Sequence, residues 1–339
     1  MANQHMLSSI FIVALLFLAG GHADATSWRI NNNANRKAHF TDINAAMSSS
    51  EVQAGDTLYL DPGCSLTSTQ TVSKRVTIIG AGYFLPAGTH GASVISGVLY
   101  LRAAKTKMVG VTITNSTNIQ ADQITIERCK TARINVGNSS YSAQHATIRQ
   151  CYITSVIYGV GTSDIKGAYC TIENNIVISS QSTGCIYQLY SPEIRNNYLK
   201  ETAKYAIFNS LSDAIIVNNI EVNTKTANSI FTSTSYNINH NNVQSSDSGA
   251  EGNLFLNSSE ESLIFALEGS NDQLYLLKDN SPAKGFAEDG GDCGPYSGTH
   301  PYIPSGYPLG MPRFVSNTAG TRATDSKVSF SNQVSIQER

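Results

Sequence analysis

Chemistry on this chain has to come from a small set of side chains near its middle. Arg133, Lys166 and Lys204 are cations, and Tyr158 is a phenol in the same stretch. A cation that neutralises a substrate carboxylate, beside a base that takes the proton α to it, is enough for an elimination. These four are the candidate catalytic residues. Tyr187, Tyr205, Asp164 and Lys200 are the candidate substrate contacts, the rings as stacking platforms and the charged pair as hydrogen-bonding groups. They surround the segment Ser155–Tyr169 (SVIYGVGTSDIKGAY), which Arg133, Tyr141 and His145 precede. For each residue the competing reading is a solvated outward side chain, and 16 Tyr in the chain make any one ring unremarkable.

Metal chemistry has less to work with. The six cysteines (Cys64, Cys129, Cys151, Cys170, Cys185, Cys293) form no CxxC pair and show no zinc spacing. They read as buried free thiols. Asp289 and Asp292 lie among the glycines of EDGGDCGPYSG and could cradle calcium, but the glutamate that closes an EF-hand loop is missing. A tight turn is the competing reading, and no metal site or cofactor is assigned.

The elements that must position these residues are repeats. ITIERCKT, ATIRQCYI, CTIENNIV, PEIRNNYL, AIIVNNIE and YNINHNNV read alike. The residue three after the central Ile falls at Cys129, Cys151, Asn175, Asn197, Asn219 and Asn241, so the gaps are 22, 24, 22, 22 and 22. The longest gap holds the Ser155–Tyr169 segment. Each unit contains several short alternating runs and no helical half, which argues for a parallel β-helix and against a leucine-rich repeat. Coils would stack about 4.8 Å apart. Ile126, Ile148, Ile172, Ile194, Ile216 and Ile238 form an inward ladder, and the asparagines stack at the turn that follows. Cys129 and Cys151 hold the same column in the earlier coils, where a free thiol pair competes with a disulfide. Glu127, Arg149, Glu173 and Arg195 come one residue later, hence outward, with alternating sign. That pattern reads as a surface salt-bridge ladder fixing register.

Composition agrees. Charged residues are 14% and the formal net charge is −2, which excludes the basic face of a nucleic-acid binder. Asn, Ser and Thr take the place of charge and suit strands and turns. Ile10–Ala19 is too short to span a bilayer, and Ala23-Asp24-Ala25 follows as a small-x-small cleavage site. The reading is therefore a secreted protein: signal peptide 1–25, one β-helix domain 26–315 with an N-terminal capping helix at Phe40–Ser50, and a tail 316–339 with one strand. No later segment could span a membrane.

Helix, AGDTLYLDPG, VTIIGAG and then coils with TIENN-type units resemble the pectin-lyase-like right-handed parallel β-helix superfamily. NSPAKGFAEDGGDCGPYSG followed by PYIPSGYPLGMPRF resembles the terminal segment of secreted β-helix proteins of Bacteroidetes-type bacteria. The resemblance spans roughly residues 38–315. It implies an all-β stack of about nine or ten coils and a carbohydrate-active protein, polysaccharide-lyase-like or acting on an acidic glycan. Its alternative is a non-catalytic glycan-binding, surface or adhesive protein. Polygalacturonase-like hydrolysis is not implied. Asn223-Thr224-Lys225 stands where an NTD is wanted, and no paired DD or GHG exists for an inverting carboxylate pair.

Overall fold

The computed structural model describes residues 25–85, 91–159, 167–181, 183–201, 207–208, 214–223, 238–240, 242–244, 252–256, 260–269, 271–306, 313–324 and 327–337. The expected signal peptide lies outside them except for its last residue.

Ile43–Ser48 is the capping helix. It starts later than Phe40 because the Asp42 carboxylate caps the Ala45 N–H at 2.8 Å, while Phe40 bridges to Ile30 in a strand-like pairing. Ile43, Ala46 and Met47 are buried over the first coil. A strand that the sequence reading did not foresee, Ser27–Ile30, pairs in parallel with Thr57–Leu60 and opens the stack. Four residues, SWRI, are too few to show alternation.

From there the chain winds as a parallel β-helix with three faces. The first is a ten-stranded sheet running from Ser27–Ile30 to Ile238–His240 through every TIE-like strand. The second carries Tyr152–Ile153, Ile176–Ser179, Tyr198–Glu201 and Ile220–Asn223 in neighbouring coils. The third carries Gln70–Val72, Leu99–Leu101, Ile157–Tyr158 and Ile186–Tyr187. Two long strands, Thr112–Ile119 and Lys130–Val136, turn the corner between the second and third faces, with a register irregularity between Thr131 and Arg133.

The inward ladder pairs Ile126 with Ile148, then Ile172, Ile194 and Ile216, all of them fully buried. At the following turn the Asn197 amide donates to the carbonyls of Ile172 and Arg195, both at 2.9 Å, and to Asn219 Oδ1 at 2.9 Å. Its own Oδ1 accepts from Asn175 N–H at 2.9 Å. Cys151 imitates this with a thiol directed at the carbonyls of Ile126 (3.5 Å) and Arg149 (3.1 Å). All six cysteines are free and buried.

The last coil corrects the expected register. Ile216 pairs with Asn239 and Ile238 with Ile215. The Asn219 amide bonds Asn242 Oδ1 at 3.0 Å, so the ladder passes through Asn242 and not Asn241. The stacked amides set the register, and the isoleucine ladder is subordinate to them. Asn241 itself lies outside the described residues.

A C-terminal segment then folds back. Arg128, Gln150, Asn174, Asn196 and Asn218 each adopt a left-handed backbone at the turn before the ladder. All four of their carboxamides clip the returning chain: Gln150 donates to Pro301 O at 2.6 Å, Asn174 to Ser297 O at 2.6 Å and Asn196 to Ser297 Oγ at 3.3 Å, and Asn218 Oδ1 accepts from Glu288 N–H at 2.9 Å. Phe265, Tyr275, Cys293 and Tyr302 cover Ile176, Tyr198 and Ile220 on the second face. Asp272 is buried beneath this cover, where burial pushes its carboxyl up despite hydrogen bonds from Ser305 N–H and Tyr302.

The charge row is in register as expected, Glu127 beside Arg149 beside Glu173 beside Arg195. It is not the exposed ladder that the alternation suggested. The Glu127 and Glu173 side chains are only 4% and 10% exposed. Glu127 meets Arg149 at 2.8 Å, Arg128 at 2.9 Å and Lys107 at 3.0 Å. Glu173 meets His300 of the returning segment at 3.2 Å. Burial pushes the Glu127 carboxyl up, but hydrogen bonds from Arg149 and Lys107 and the charge of Arg128 outweigh it and hold the group below the usual carboxylate range.

The tail also differs from its expectation. Arg313–Thr324 and Lys327–Gln337 form an antiparallel hairpin, so there are two strands rather than one. The stretch SNTAGTRAT looked turn-rich, but its threonines and alanines suit a strand once VSFSNQVSIQ lies alongside.

Candidate functional site

The third face presents an outward column that runs against the pattern elsewhere. In register it reads Thr71, Tyr100, Asn118, Asn135, Tyr158 and Tyr187. Alternation puts it there, because Leu99, Thr117, Ile134, Ile157 and Ile186 point into the core and the next residue must point out. Tyr158 is further fixed by Gly159, whose N–H donates to Tyr187 O at 2.7 Å. A Cβ on Gly159 would lie 1.9 Å from the Gln188 carbonyl oxygen, so only glycine allows the two coils to approach this closely.

Arg133 joins the column from one side. Its Nε donates to Asn135 Oδ1 at 2.7 Å, and Asn135 in turn donates to Asn118 Oδ1 at 2.9 Å. The guanidinium carbon sits 4.7 Å from the Tyr158 ring centroid, and the Tyr158 and Tyr187 rings are 5.2 Å apart at 35°. These side chains are half-buried. The result is a cation lying on one ring, a second ring beside it, and two carboxamides holding the cation in place. Such a surface can stack a sugar and neutralise an anionic group on it.

Of the sequence candidates, Arg133, Tyr158 and Tyr187 are thus brought together. Lys200 is not with them. It stands on the second face, ion-paired to Glu261 at 2.7 Å, with Glu261 also bonded by the Tyr198 hydroxyl. Alternation placed it outward correctly, but the C-terminal cover turns it into an anchor for that cover. Lys166, Lys204, Asp164 and Tyr205 lie outside the described residues. His145 stacks on Tyr169 at 5.3 Å on a different turn. Asn118 and Asn135 were missed, because no repeated motif flags them; only the coil-to-coil register shows them in one column.

Parallel coils stacked from end to end define a protein of the parallel β-helix class. The NosD family, described as periplasmic copper-binding protein, matches residues 44–266. The chain belongs to that family. No curated protein matches the chain. Among solved structures it is similar to a crystal structure of pectate lyase Pel9A, at 13% identity and a TM-score of 0.48, covering 82% of this chain and 98% of that one. The family is a periplasmic one, in keeping with a secreted location. Among the described residues no helix is long and apolar enough to cross a membrane.

The family description names copper, and the described residues do not fit it. No group of three His, Cys, Asp or Glu among them could hold a metal ion. Thiols bind metal as thiolates, yet burial pushes Cys129 and Cys170 up to about 12. Their sulfurs point at backbone carbonyls, such as Cys129 at Glu127 O (3.3 Å). His39 accepts from the Arg29 N–H at 3.0 Å and His300 is committed to Glu173. In the glycine-rich loop, Asp289 accepts from Gly291 N–H and Asp292 from Gly285 N–H, each at 2.9 Å, as turn-forming carboxylates do.

Proposed function

We propose that this exported β-helix binds an acidic glycan on the outward side of its third face, with Tyr158 and Tyr187 as sugar platforms and Arg133 as the carboxylate contact. The observation that carries this is the Arg133 guanidinium stacked on Tyr158 and held by Asn135, with no ion pair of its own among the described residues. An arginine without a carboxylate partner among the described residues, its Nε bonded to a carboxamide and its guanidinium on a ring, suits a ligand that brings one. Calorimetry of the purified protein against acidic and neutral polysaccharides tests it. Binding of the acidic set only, weakened about tenfold in Arg133→Gln, is the expected result. Equal binding of neutral chains, or no change in the variant, would reject it.

A second reading is catalytic. Arg133 and Tyr158 touch, so a neutralising cation and a base could act on one uronate. The Tyr158 oxygen, as phenolate, would take the proton α to the carboxylate, the bond to the glycosidic oxygen would break as the C=C bond forms, and the phenol would return that proton to the leaving oxygen, giving an unsaturated sugar. Absorbance of that product during incubation with polyuronates supports this reading. Binding without absorbance leaves the protein a glycan-binding one. Copper has no part in either reading.

A further inference from the structure

The third face carries a second arginine built like the first. Arg102 Nε donates to Gln120 Oε1 at 2.8 Å, as Arg133 Nε does to Asn135. Its guanidinium lies over the Tyr100 ring at 4.9 Å and the Tyr141 ring at 5.5 Å. Like Arg133, it has no carboxylate partner among the described residues. Tyr100 and Tyr158 belong to one column, separated by Asn118 and Asn135. Arg102 follows the strand of Tyr100 and Arg133 lies on the strand of Asn135, so two inter-strand steps of about 4.8 Å place the two arginines roughly 10 Å apart along the stack. Arg102 follows Tyr100 by two residues and Arg133 precedes Asn135 by two, so they stand on opposite sides of the column. None of the strands Gln70–Val72, Leu99–Leu101, Thr112–Ile119, Lys130–Val136, Ile157–Tyr158 and Ile186–Tyr187 contains Asp or Glu.

We infer that Arg102, with Tyr100 and Tyr141, is a second carboxylate subsite, and that one polyuronate chain crosses the column obliquely and bridges the Arg102 and Arg133 sites. This rests on the acidic-glycan reading above. Each guanidinium has its Nε committed to a carboxamide and its ring-facing side to tyrosine, which leaves the terminal nitrogens as a two-donor fork for a carboxylate. The Asn118 and Asn135 amides of the column supply hydrogen bonds to sugar hydroxyls, and the six strands bring no carboxylate of their own to repel a polyanion; the nearby Asp122 is occupied by hydrogen bonds from Ser142 and the Gln144 N–H. Linking two weak sites through one chain raises the affinity only when the chain spans both.

The test measures binding of a length series of oligogalacturonates and of alginate oligomers to wild type, Arg102→Gln, Arg102→Lys and Arg133→Gln. Wild-type affinity is expected to climb steeply once the oligomer is long enough to reach both sites. Arg102→Gln should abolish that step and weaken long-chain binding about tenfold, as should Arg133→Gln. Arg102→Lys, which keeps the charge but not the fork, should recover little of it. Unchanged melting temperatures establish that the variants are folded, since Arg102 is exposed. If Arg133→Gln weakens binding and Arg102→Gln does not, the second subsite is refuted while the first stands. A wild-type affinity that grows smoothly with length also refutes it. If no uronate oligomer binds the wild type, the acidic-glycan reading itself fails, and this inference falls with it.

Discussion

Arginines on two faces of one β-helix meet opposite surroundings. On the first face Arg149 bridges towards Glu127 and Glu173, and Arg128 at the adjoining turn meets Glu127 at 2.9 Å. On the third face Arg133 and Arg102 meet a carboxamide and a tyrosine ring. The backbone is the same parallel ladder in both places, so the coil geometry does not dictate the difference. A charge neutralised within the fold holds coils together. A charge supported by neutral groups has been positioned without being satisfied. The first face is a device for stability, and on the proposed reading the third is one for recognition.

That contrast can be broken by variants on the stabilising side that ought to leave glycan binding untouched in the folded protein. Asn197→Leu should have the largest effect. It removes the donor to the buried Ile172 carbonyl and the part-buried Arg195 carbonyl, and the acceptor for the buried Asn175 N–H. Leaving such groups unpaired should cost about 3 kcal/mol, read as a lower denaturant midpoint at unchanged slope. Arg149→Glu comes next. It sets three carboxylates in a row on neighbouring strands and should cost about 2 kcal/mol at low ionic strength, with part of the loss recovered in salt because Arg149 is only partly covered. Should this variant instead abolish glycan binding with its stability intact, the division between the faces is wrong.

The smallest effect concerns pH. The Glu127 carboxyl titrates below its ordinary value in the folded state, so the unfolded chain binds the proton first as pH falls. Its contribution to stability is therefore full above the unfolded value of about 4.3 and is lost as pH drops through the lower folded value. Thermal melts across this acid range should show a shallower decline in Glu127→Gln than in wild type. An identical pH profile for the two proteins would mean that the row is not a stabilising network.

The sequence is most readable where one residue type must recur. Buried amides that bond up and down the stack can only be asparagine at one position per coil, so the 22-residue spacing gave both fold and register. It misled once, at Ile238, because the apolar residue was followed where the amide should have been; counting to Asn242 corrects it. Arg133, Tyr158 and Tyr187 were legible as types, and the structure adds that they touch. Arg102, Asn118 and Asn135 were not, since no repeated motif marks them and only the coil-to-coil register lines up Asn118 and Asn135 with Tyr100 and Tyr158. Lys200 was misread because alternation reports which way a side chain points, and nothing in its own coil reveals that Glu261, 61 residues later, will cover it.

The equal spacing of Asn175, Asn197 and Asn219 has a consequence for how this chain can change length. Every amide in the column faces a copy of itself, so a whole coil is an interchangeable part. Excising residues 176–197 would join Asn175 to Tyr198 and present Asn219 where Asn197 had been, with the same bonds available. Excising one residue fewer would turn every inward side chain of the following strand outward. The returning C-terminal segment sets the limit, because it is clipped at Gln150, Asn174, Asn196 and Asn218; the excision removes the Asn196 clip and leaves the segment one clip-interval too long for the shortened stack. Gain or loss of coils in this lineage should therefore be accompanied by a matching change in the length of residues 252–302.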